Sequence, residues 1–421
     1  MSLKPPKLTN DCFALPRGVT WIPVDEALNR LKKSLHRITE IEKIPTNVAE
    51  GRILAISPTA TRSSPPMSNS AVDGFGFAHS CIKSGPQNLP LTKGIAAAGL
   101  PYEGKVKLGS AIKILTGAIL PSGVDTVILA EDTNSDDNTV AFNGPIKLGS
   151  NTRLKGEDIQ KGNKLIDLGI PIRSTEIGLL NSVGIFSISV YKKLKVGILS
   201  TGNEIIYNSQ SNPLPHQIFD ANKPMLSTIV KKWGFEVIDL GHADDNEETL
   251  LKKMDSASKK VDVIITSGGA SAGQEDYISK IMNNYGSISS WRVAIKPGRP
   301  IAMGIFKGTP VFGLPGNPVA AFVCSVIFVR PALYCLSGAG WVEPHTFWVP
   351  ANFTKHKKPG RQELLRANLT QENSVNIFKS EGSGRISGLS WANGLVDLPS
   401  GLTKVDRGDL VKFIPYSSLG I

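Results

Sequence analysis

Several apolar, strand-like runs between residues 195 and 318 end in short loops of Gly, Ser, acidic or basic residues. In an open parallel sheet such loops gather at the carboxyl ends of the strands, where ligands bind. They would bring together backbone N–H groups suited to a phosphate, carboxylates suited to a hard cation and cations suited to an oxyanion. The runs are 196–200 before the loop 201–204, 237–240 before 241–245 and 263–266 before 267–277, and two further loops follow at 296–300 and 313–318.

The glycine-rich loop at 267–277 is the strongest candidate for a phosphate site. Two glycines directly after a buried strand let the backbone approach a ligand closely, and successive N–H groups at a helix start attract phosphate. Glu275 and Asp276 follow, and Mg²⁺ is usually held by one or two carboxylates beside phosphate oxygens. A plain structural turn is the alternative interpretation of such glycines. The residues predicted to bind substrate in this loop are Ser267, Gly268, Gly269, Ser271 and Gly273.

Acidic residues end two neighbouring runs. Asp245 is predicted to cap a helix over 246–260, which leaves Asp244 to face the crevice. Glu204 ends the first run in the same way, although an exposed turn acid would give the same pattern. Carboxylates at the strand ends are the ligands that a hard cation such as Mg²⁺ prefers.

The loop at 296–300 carries two cations. Lys296 and Arg299 bracket Pro297 and Gly298. Because proline stiffens the backbone, a loop of this kind suits a tetrahedral oxyanion better than a flexible one. Two solvated surface charges are the alternative interpretation, since Lys and Arg are usually exposed.

The loop at 313–318 precedes the most apolar helix of the chain. Asn317 and Pro318 are a good N-cap and first-turn pair for that helix. The loop would then present backbone amides, with Pro315 and Asn317 as candidate substrate contacts. A tight structural turn would produce the same sequence.

Composition and spacing argue against several other chemistries. The chain has 421 residues, enough for roughly three domains of about 150 residues each. Its six histidines show no H-x-x-x-H spacing and its four cysteines no C-x-x-C pair, which argues against zinc sites and a disulfide framework. No Ser/His/Asp or Cys/His arrangement is evident, and the P-loop motif G-x-x-x-x-G-K-[ST] does not occur.

The charge balance is basic, but not in the pattern of a nucleic-acid surface. The formal net charge is +11, and the basic residues are scattered without a stripe interleaved with aromatic residues. We therefore expect no nucleic-acid partner. The polar start of the chain does not have the pattern of a signal peptide, and the most apolar stretch, 319–329, is far short of a membrane span. These features predict a cytoplasmic protein without a membrane partner.

The pattern of elements predicts an α/β multidomain protein. Apolar runs alternate with helical patterns in the centre of the chain, which predicts a doubly wound α/β domain. Short β-like runs between Gly and Pro turns predict two smaller β-rich domains, and the remaining residues form a helical and extended linking domain. The predicted domains are the linking domain at 1–60 with 150–192, the β-rich domains at 61–149 and 338–421, and the central domain at 193–337.

Two helices are predicted in the linking domain. Apolar spacing over 24–37 suits an amphipathic helix. A second helical pattern covers 165–182, with Ser174 or Thr175 as its cap.

Taken together, these loops resemble those of the molybdopterin molybdenumtransferases, the family of bacterial MoeA and of the C-terminal domain of gephyrin. The resemblance covers nearly the whole chain, and its order and intervals make it specific although each motif alone is a modest signal. The motifs are Ser-Ala-Val-Asp-Gly-Phe at 70–75, Thr-Gly-Ala-x-x-Pro-x-Gly-x-Asp-Thr at 116–126, Arg-x-x-Gly-Glu-Asp at 153–158, Asp-Ala-Asn at 220–222, Lys-Pro-Gly at 296–298 and Gly-Leu-Pro-Gly-Asn-Pro at 313–318.

The resemblance implies an enzyme of molybdenum cofactor biosynthesis with a central domain of the molybdopterin-binding type. Such an enzyme takes adenylylated molybdopterin and molybdate, releases AMP in a Mg²⁺-dependent step and leaves molybdenum on the pterin dithiolate. Matched by position, Asp276 and Asp244 are expected at the metal and phosphate end, with Glu204 beside them. Lys296 and Arg299 resemble the loop that holds the oxyanion.

The resemblance also implies contributions from other parts of the chain. Asp73 and Thr116 match residues that face the site from the partner subunit of a homodimer, so the active site is expected to lie across subunits. Arg361 and Ser383 lie in segments similar to those that help bind molybdate.

Two other classes of protein share parts of this pattern. A dimeric scaffold or anchoring protein of the gephyrin type, without catalysis, is the alternative function, but the sequence shows neither the long linker nor the extra domain typical of such a scaffold. Enzymes that adenylylate molybdopterin at an earlier step resemble only 193–337, and the additional β-rich domains argue against that class.

Overall fold

The computed structural model describes residues 21–206, 212–268, 277–298 and 301–421, without the side chains of 288–291. The chain forms two compact units. One unit comprises Lys43–Glu50 and Leu54–Val190. The other comprises the described residues up to Glu42, together with Gly51–Ile53 and Tyr191–Ile421. The predicted division into four domains stays a prediction.

The first helix, α1 (Val24–Ser34), is amphipathic as predicted. Its buried residues Val24, Ala27 and Leu31 are three and four positions apart and therefore lie on one face. The helix is three residues shorter than the pattern over 24–37, because Leu35 already has an extended backbone.

The unit of Lys43–Glu50 and Leu54–Val190 is rich in short strands. The elements in this part of the chain are β1 (Ile41–Pro45), β2 (Asn69–Ser70), β3 (Gly74–Phe77), β4 (Gly85–Ala96), β5 (Ala111–Ile114), β6 (Thr126–Leu129), β7 (Asn134–Ser135), β8 (Thr139–Gly144), β9 (Thr152–Arg153), α2 (Ser174–Ser182) and β10 (Ser187–Tyr191). Six of these strands form one sheet in the order β6-β3-β5-β4-β8-β7. Phe77 and Phe142 stack in its core with ring centroids 5.2 Å apart.

Helix α2 begins later than the pattern over 165–182 predicted. Gly169 has a φ of +82°, and Pro171 follows it, so the backbone before Ser174 cannot continue the helix. Neither Ser174 nor Thr175 is the N-cap. That position is Arg173, whose backbone N–H donates to the Glu176 carboxylate at 2.9 Å.

The central part of the other unit is an α/β arrangement. Its elements are β11 (Lys195–Thr201), β12 (Ile205–Ile206), β13 (Ile218–Phe219), α3 (Asn222–Lys232), β14 (Glu236–Ala243), α4 (Glu247–Ser258), β15 (Val263–Ser267), α5 (Tyr277–Tyr285), β16 (Gly286–Trp291), β17 (Ile295–Lys296), β18 (Ile301–Phe306), β19 (Thr309–Leu314), α6 (Pro318–Cys324) and α7 (Arg330–Ser337). The main sheet has the order β14-β11-β15-β19-β18-β16. Its first four strands are parallel, whereas the pairings β19-β18 and β18-β16 are antiparallel. The predicted α/β class is therefore confirmed, with an antiparallel edge.

Helices cover both faces of this sheet. Successive strand residues point to opposite faces, and accordingly Ile198 packs in one apolar cluster with Leu226 of α3, whereas Leu199 packs in another with Leu250 of α4. The runs predicted as buried strands are therefore apolar throughout because both faces are covered.

A long apolar helical run follows β19. Helices α6 and α7 are joined by a π-helical turn, Ser325–Val329, so that the run extends over Pro318–Ser337. By length and composition alone this run could cross a membrane. The apolar stretch at 319–329, which the sequence indicated, is only part of it and is too short to do so. Within the protein, however, 83% of its most apolar window is buried, as in the core helix of a globular protein.

The C-terminal part is a β structure that packs on the same core. Its elements are β20 (Phe347–Pro350), β21 (Lys355–His356), β22 (Gln362–Leu369), β23 (Val375–Ile377), α8 (Ser387–Trp391), β24 (Gly394–Leu398), β25 (Lys404–Val405) and β26 (Leu410–Pro415). The sheet order is β17-β22-β24-β26-β20, with β23 on β22. Strand β17 thus leaves the central part and pairs in parallel with β22, which sets Lys296 opposite Glu363.

Candidate functional site

A cavity of about 340 Å³ lies at the carboxyl ends of β11, β15 and β19. Strand β11 has β14 on one side and β15 on the other, so the strand order reverses here, and ligands bind at such points in open α/β sheets. The cavity is lined by Ser200, Thr201, Gly202, Glu204, Ile205, Ile218, Phe219, Asp220, Ala221, Asn222, Asp245, Ser267, Gly268, Pro315, Gly316, Asn317 and Pro318.

Five residues that the sequence singled out line this cavity. Glu204, Ser267, Gly268, Pro315 and Asn317 come from three different loops, and the sheet brings those loops together. Asn317 is the N-cap of α6 and is followed by Pro318 at the first helical position, as predicted.

The carboxylate of Asp220 joins two elements at the cavity wall. One oxygen accepts a hydrogen bond from the hydroxyl of Ser200 at the end of β11. The other accepts from the backbone N–H of Lys223 in the first turn of α3 at 3.0 Å. A carboxylate in this place also interacts favourably with the positive end of the helix dipole. Asp220 is therefore held rigidly beside the cavity.

Asn222 links the other two strand ends. Its Nδ2 donates to Ser267 Oγ and to the Gly316 carbonyl, each at 2.7 Å. The residue is buried, and its Oδ1 has no hydrogen-bond partner among the described residues. The amide thus fixes the loops after β15 and β19 relative to each other.

The backbone at Gly268 requires glycine. Its φ is +94°, and a Cβ atom there would lie 2.5 Å from the Thr201 carbonyl oxygen. The N–H of Gly268 donates to Leu314 O at 3.1 Å. The first glycine after β15 is therefore needed for the close approach of three strand ends, as expected for a ligand-binding turn.

The charged side chains at this cavity are acidic. Glu204, Asp220 and Asp245 line it, and none of the described lining residues is Lys or Arg. Within the described ranges, no group of three or more His, Cys, Asp and Glu side chains is arranged to hold a metal ion. Mg²⁺, however, uses only one or two protein carboxylates and completes its coordination with water and phosphate oxygens, so the oxygen donors present fit this ion.

The two aspartates after β14 differ from the prediction. Asp245 does not cap the helix; Asn246 does, and its side chain accepts from the N–H of Thr249 at 3.0 Å. Asp245 instead lines the cavity. Asp244 is not among the lining residues, its side chain is 73% exposed, and a carboxylate oxygen lies 3.8 Å from His242 Nδ1. The one-residue shift of the cap exchanges the positions expected for the two acids.

A second charged site, which we name the cationic corner, comprises Lys296, Lys355, Lys357 and Arg361 with Glu363 and Glu381. Lys296 and Lys355 each pair with both glutamates. Lys355, Lys357, Arg361 and Glu363 are buried.

The charges of the cationic corner alter one another's pKa values. Burial alone would lower the pKa of Lys296, but its ion pairs with Glu381 and Glu363 outweigh burial and raise that pKa. Burial lowers the pKa of Lys357, and the positive charges of Lys296, Lys355 and Arg361 lower it further. The corner thus combines four cationic side chains with two carboxylates, and the pKa values of Lys296 and Lys357 depend on these neighbouring charges.

The predicted residue Gly298 is buried beneath this corner. Its φ is +132°, and a Cβ atom there would lie 2.7 Å from the sulfur of Cys324. The Cys324 thiol contacts the Gly298 carbonyl at 3.1 Å. Helix α6 therefore supports the loop that carries Lys296.

The segment around Ser383 connects the cavity and the cationic corner. The Ser383 carbonyl accepts from the N–H of Val319 in α6 at 3.0 Å. Two residues before it, Glu381 pairs with Lys296. The predicted residues Asn317, Lys296 and Ser383 therefore belong to neighbouring parts of one unit.

Asp73 and Thr116 lie in the other unit and contact each other. The Asp73 carboxylate accepts hydrogen bonds from the backbone N–H and the hydroxyl of Thr116, both at 2.7 Å. These bonds lower the pKa of Asp73, so the exposed carboxylate stays ionised. The sequence singled out both residues, and the turn after β5 brings them together.

Five predicted site residues lie outside the described residues: Gly269, Ser271, Gly273, Asp276 and Arg299. Their roles stay predictions.

Several residues at both sites were not among the predicted site residues. Asp220 and Asn222 belong to the Asp-Ala-Asn motif, and the start of a helix at the last residue of this motif is a signal that could have identified them. Lys355 and Glu381 gave no local signal, because their partners are distant in sequence.

Comparison with family models gives three matches that together cover most of the chain. The model described as MoeA N-terminal region (domain I and II) matches residues 22–184. The model described as probable molybdopterin binding domain matches residues 197–334. The model described as MoeA C-terminal region (domain IV) matches residues 349–416. The last two matches contain the cavity and the cationic corner.

Curated proteins and solved structures agree with these matches. The chain is 33% identical to a molybdopterin molybdenumtransferase of Haemophilus influenzae over 94% of this chain and 99% of that protein. It is 33% identical to one of a Nostoc species over 86% of this chain and 85% of that protein. A molybdopterin biosynthesis MoeA protein of Pyrococcus horikoshii superposes with a TM-score of 0.83 at 26% identity, over 94% of this chain and 100% of that chain. This chain therefore belongs to the molybdopterin molybdenumtransferase family.

Proposed function

We propose that this protein inserts molybdenum from molybdate into adenylylated molybdopterin, with Mg²⁺-dependent release of AMP. The observation that carries the proposal is the pairing of an acidic cavity with a cationic corner in one unit, joined through the segment around Ser383. A nucleotide with its metal ion needs the acidic surface, and a tetrahedral oxyanion needs the cationic one.

The acidic cavity would take the phosphate end of the substrate. Its depth at the strand ends and the close backbone approach at Gly268 suit a pyrophosphate group. Among the described lining residues, Glu204, Asp220 and Asp245 offer the carboxylates that would hold Mg²⁺, with Asp245 in the role predicted for Asp244 and with Asp276 as a further predicted ligand. When bound, Mg²⁺ would offset phosphate charge and polarise the P–O bond.

The chain's own residues would orient the substrate in this cavity. Asp220 and Asn222 are fixed by hydrogen bonds to three strand ends. Their side-chain oxygens are therefore held in position to accept further hydrogen bonds from the substrate. The unpartnered Oδ1 of Asn222 would accept a hydrogen bond from a donor on the substrate. Leaving such a group without a partner in a buried place costs about 1–3 kcal/mol, which favours ligands that supply one.

The cationic corner would take molybdate. Lys296, Arg361 and Ser383, with Gly298 and Arg299 in the same loop as Lys296, are the residues we assign to the oxyanion. Cations that are held in place at a partly buried site act on an anion more strongly than solvated ones.

The full active site would need a second subunit. By resemblance to the family, Asp73 and Thr116 would face the site from the partner subunit of a homodimer. Mixing Asp73→Ala with Lys296→Met subunits should then restore part of the activity that each variant lacks alone, whereas demonstrated mixed dimers without activity would contradict the arrangement. We also propose that the protein acts in the cytoplasm.

One experiment tests the whole proposal. Purified full-length protein is given adenylylated molybdopterin and Mg²⁺, and AMP is measured with and without molybdate. We expect AMP release that depends on Mg²⁺ and is stimulated by molybdate. AMP release that ignores molybdate, or intact substrate under all conditions, would refute the proposed function.

A further inference from the structure

The carboxylate of Glu381 lies between the amino groups of Lys296 and Lys355. One of its oxygens pairs with Lys296 and the other with Lys355. Glu363 bridges the same two lysines, with each of its oxygens 3.2 Å from one amino group. Lys296, which the proposed function assigns to an oxyanion, and the adjoining Lys355 are thus already paired with carboxylates of the chain itself.

A small pocket adjoins Lys296 and Glu381 on the side of Arg366 and Ser380. The pocket lined by Lys296, Pro297, Arg366, Ser380 and Glu381, among others, has a volume of about 10 Å³. That is about the room a single water molecule needs. A tetrahedral oxyanion, with four oxygens around a central atom, does not fit in this pocket, and the amino groups of Lys296 and Lys355 are themselves occupied by the carboxylates of the two glutamates.

We propose that Glu381 is a displaceable counter-ion of the oxyanion site, and that a tetrahedral dianion takes the place of its carboxylate on Lys296 and Lys355. The proposal rests on the proposed function, because it takes molybdate to be that dianion. No covalent bond changes in this step. Two ion pairs break, the Glu381 carboxylate moves into water, and two oxygens of the dianion face the two amino groups.

The carboxylate of Glu381 can move away from the two lysines, whereas that of Glu363 cannot. The side chain of Glu363 is 4% exposed and lies on β22, which is paired with β17 and β24. Glu381 is 40% exposed and lies between β23 and α8, outside any strand. Moving Glu363 would expose a buried part of the sheet, but moving Glu381 requires only a change in a surface segment.

The balance of charge explains why a dianion can replace a carboxylate. Without Glu381, Lys296 and Lys355 share the carboxylate of Glu363. The dianion brings two negative charges to a place where Glu381 brings one, so the attraction to the cations is stronger. A monoanion of the same shape has no such advantage over Glu381. The exchange therefore selects dianions, and Glu381 acts as a specificity-determining residue.

Binding of oxyanions to the full-length protein without nucleotide tests this idea. We would measure the affinity for molybdate and for perrhenate, a tetrahedral monoanion, by isothermal titration calorimetry at mildly alkaline pH. Glu381→Gln should bind molybdate about tenfold more tightly than the unchanged protein, the factor that corresponds to about 1.4 kcal/mol. The variant should also gain perrhenate binding, so that the preference for molybdate becomes smaller.

Glu372→Gln is the matched control. Glu372 is an exposed glutamate of the same C-terminal part, and its substitution removes the same charge. We expect its affinity for molybdate to stay within about twofold of the unchanged protein, as for a solvated surface charge. An equal gain in both variants would overturn the proposal, because it would reflect net charge and not the position of Glu381.

Lys296→Met separates this proposal from the proposed function. If Lys296→Met abolishes molybdate binding and Glu381→Gln does not strengthen it, the displacement is wrong and the oxyanion site stands. If Lys296→Met binds molybdate as the unchanged protein does, alone and combined with Glu381→Gln, both the site and the displacement are wrong. Thermal unfolding of each variant, followed by tryptophan fluorescence, shows that the proteins compared are folded.

Discussion

The acidic cavity and the cationic corner lie in the same unit, but the first is lined by carboxylates and the second is rich in cationic side chains. The cavity is open, with about 340 Å³, and the charged residues among its described lining residues are three carboxylates. The corner has four cationic and two carboxylate side chains, and the amino groups of Lys296 and Lys355 are already paired with those carboxylates. A phosphate cannot bind among carboxylates unless a cation lies between them, whereas the corner offers an oxyanion its own cations once the Glu381 carboxylate has moved away. Under the proposed function, one region would therefore depend on an added cation and the other on the removal of its own anion.

The largest effect is expected from removing a cation of the corner. Lys296→Met should reduce molybdate-stimulated AMP release by about 100-fold, since a preorganised charge at a reacting anion contributes on the order of 3 kcal/mol. The Mg²⁺ concentration needed for half-maximal activity should not change, because the cavity is intact. Lys379→Met, which removes an exposed charge near the same segment, serves as the control. A rise in the Mg²⁺ requirement of Lys296→Met would show that the two regions are not separate.

The second largest effect is expected on the free energy of unfolding, from a change in the backbone at the cavity. Gly268→Ala should lower the free energy of unfolding by about 2–3 kcal/mol, because alanine is strained at this φ and its Cβ overlaps the Thr201 carbonyl. Gly401→Ala, where a Cβ meets nothing within 4 Å, should change stability by less than about 0.5 kcal/mol.

Tryptophan fluorescence is the appropriate measurement for this pair of variants. All six tryptophans of the chain lie outside Lys43–Glu50 and Leu54–Val190, so the signal reports on the unit that contains the cavity. Equal unfolding transitions for Gly268→Ala and Gly401→Ala would mean that the strand ends do not approach each other as closely as described.

The sequence predicted the parts of the cavity that arise from local patterns. Buried strands followed by Gly or acidic loops are short-range signals, and they led to Glu204, Ser267, Gly268, Pro315 and Asn317. A parallel sheet necessarily gathers such strand ends, so predicting the elements was enough to predict the convergence.

The contacts that sequence reasoning missed are those between distant residues. The hydroxyl of Ser200 bonds to Asp220 across 20 positions, and Lys296 pairs with Glu381 across 85 positions. No periodicity or spacing carries that information, because the partners meet only when the chain folds. The exchange of Asp244 and Asp245 has a different cause, since it follows from a helix start that lies one residue later than predicted.

A smaller effect tests the need of the cavity for an added cation. Glu204→Gln should raise the Mg²⁺ concentration for half-maximal AMP release by about tenfold, because one of the carboxylates available to Mg²⁺ becomes neutral. Molybdate affinity in the absence of nucleotide should stay unchanged, which is the reverse of the result for Lys296→Met.

Glu236→Gln is the control for Glu204→Gln. Glu236 is an exposed glutamate at the amino end of β14, and the cavity lies at the carboxyl ends of the strands. An equal change in the Mg²⁺ requirement of both variants would mean that total charge, and not the cavity, determines it.

The smallest effect concerns the other unit, where a carboxylate is held by hydrogen bonds and not by opposite charges. Thr116→Val removes the hydroxyl that donates to Asp73 but keeps the backbone N–H that also donates to it. Both bonds lower the pKa of Asp73, the backbone bond more strongly, so the variant should raise that pKa only part of the way to its ordinary value. Because a raised pKa means that the carboxylate is protonated at a higher pH, any loss of activity should appear on the acidic side and vanish near neutrality.

Carbon-13 NMR titration of the aspartate carboxyl groups measures this shift directly. Asp136, whose pKa is lowered by bonds from Asn138 and Thr139, should titrate identically in both proteins and serves as the internal reference. If the Asp73 titration is the same with and without the Thr116 hydroxyl, that hydroxyl does not hold the carboxylate. Asp73 would then depend on the backbone bond alone, and the orientation of this carboxylate would follow from the turn after β5 without help from a side chain.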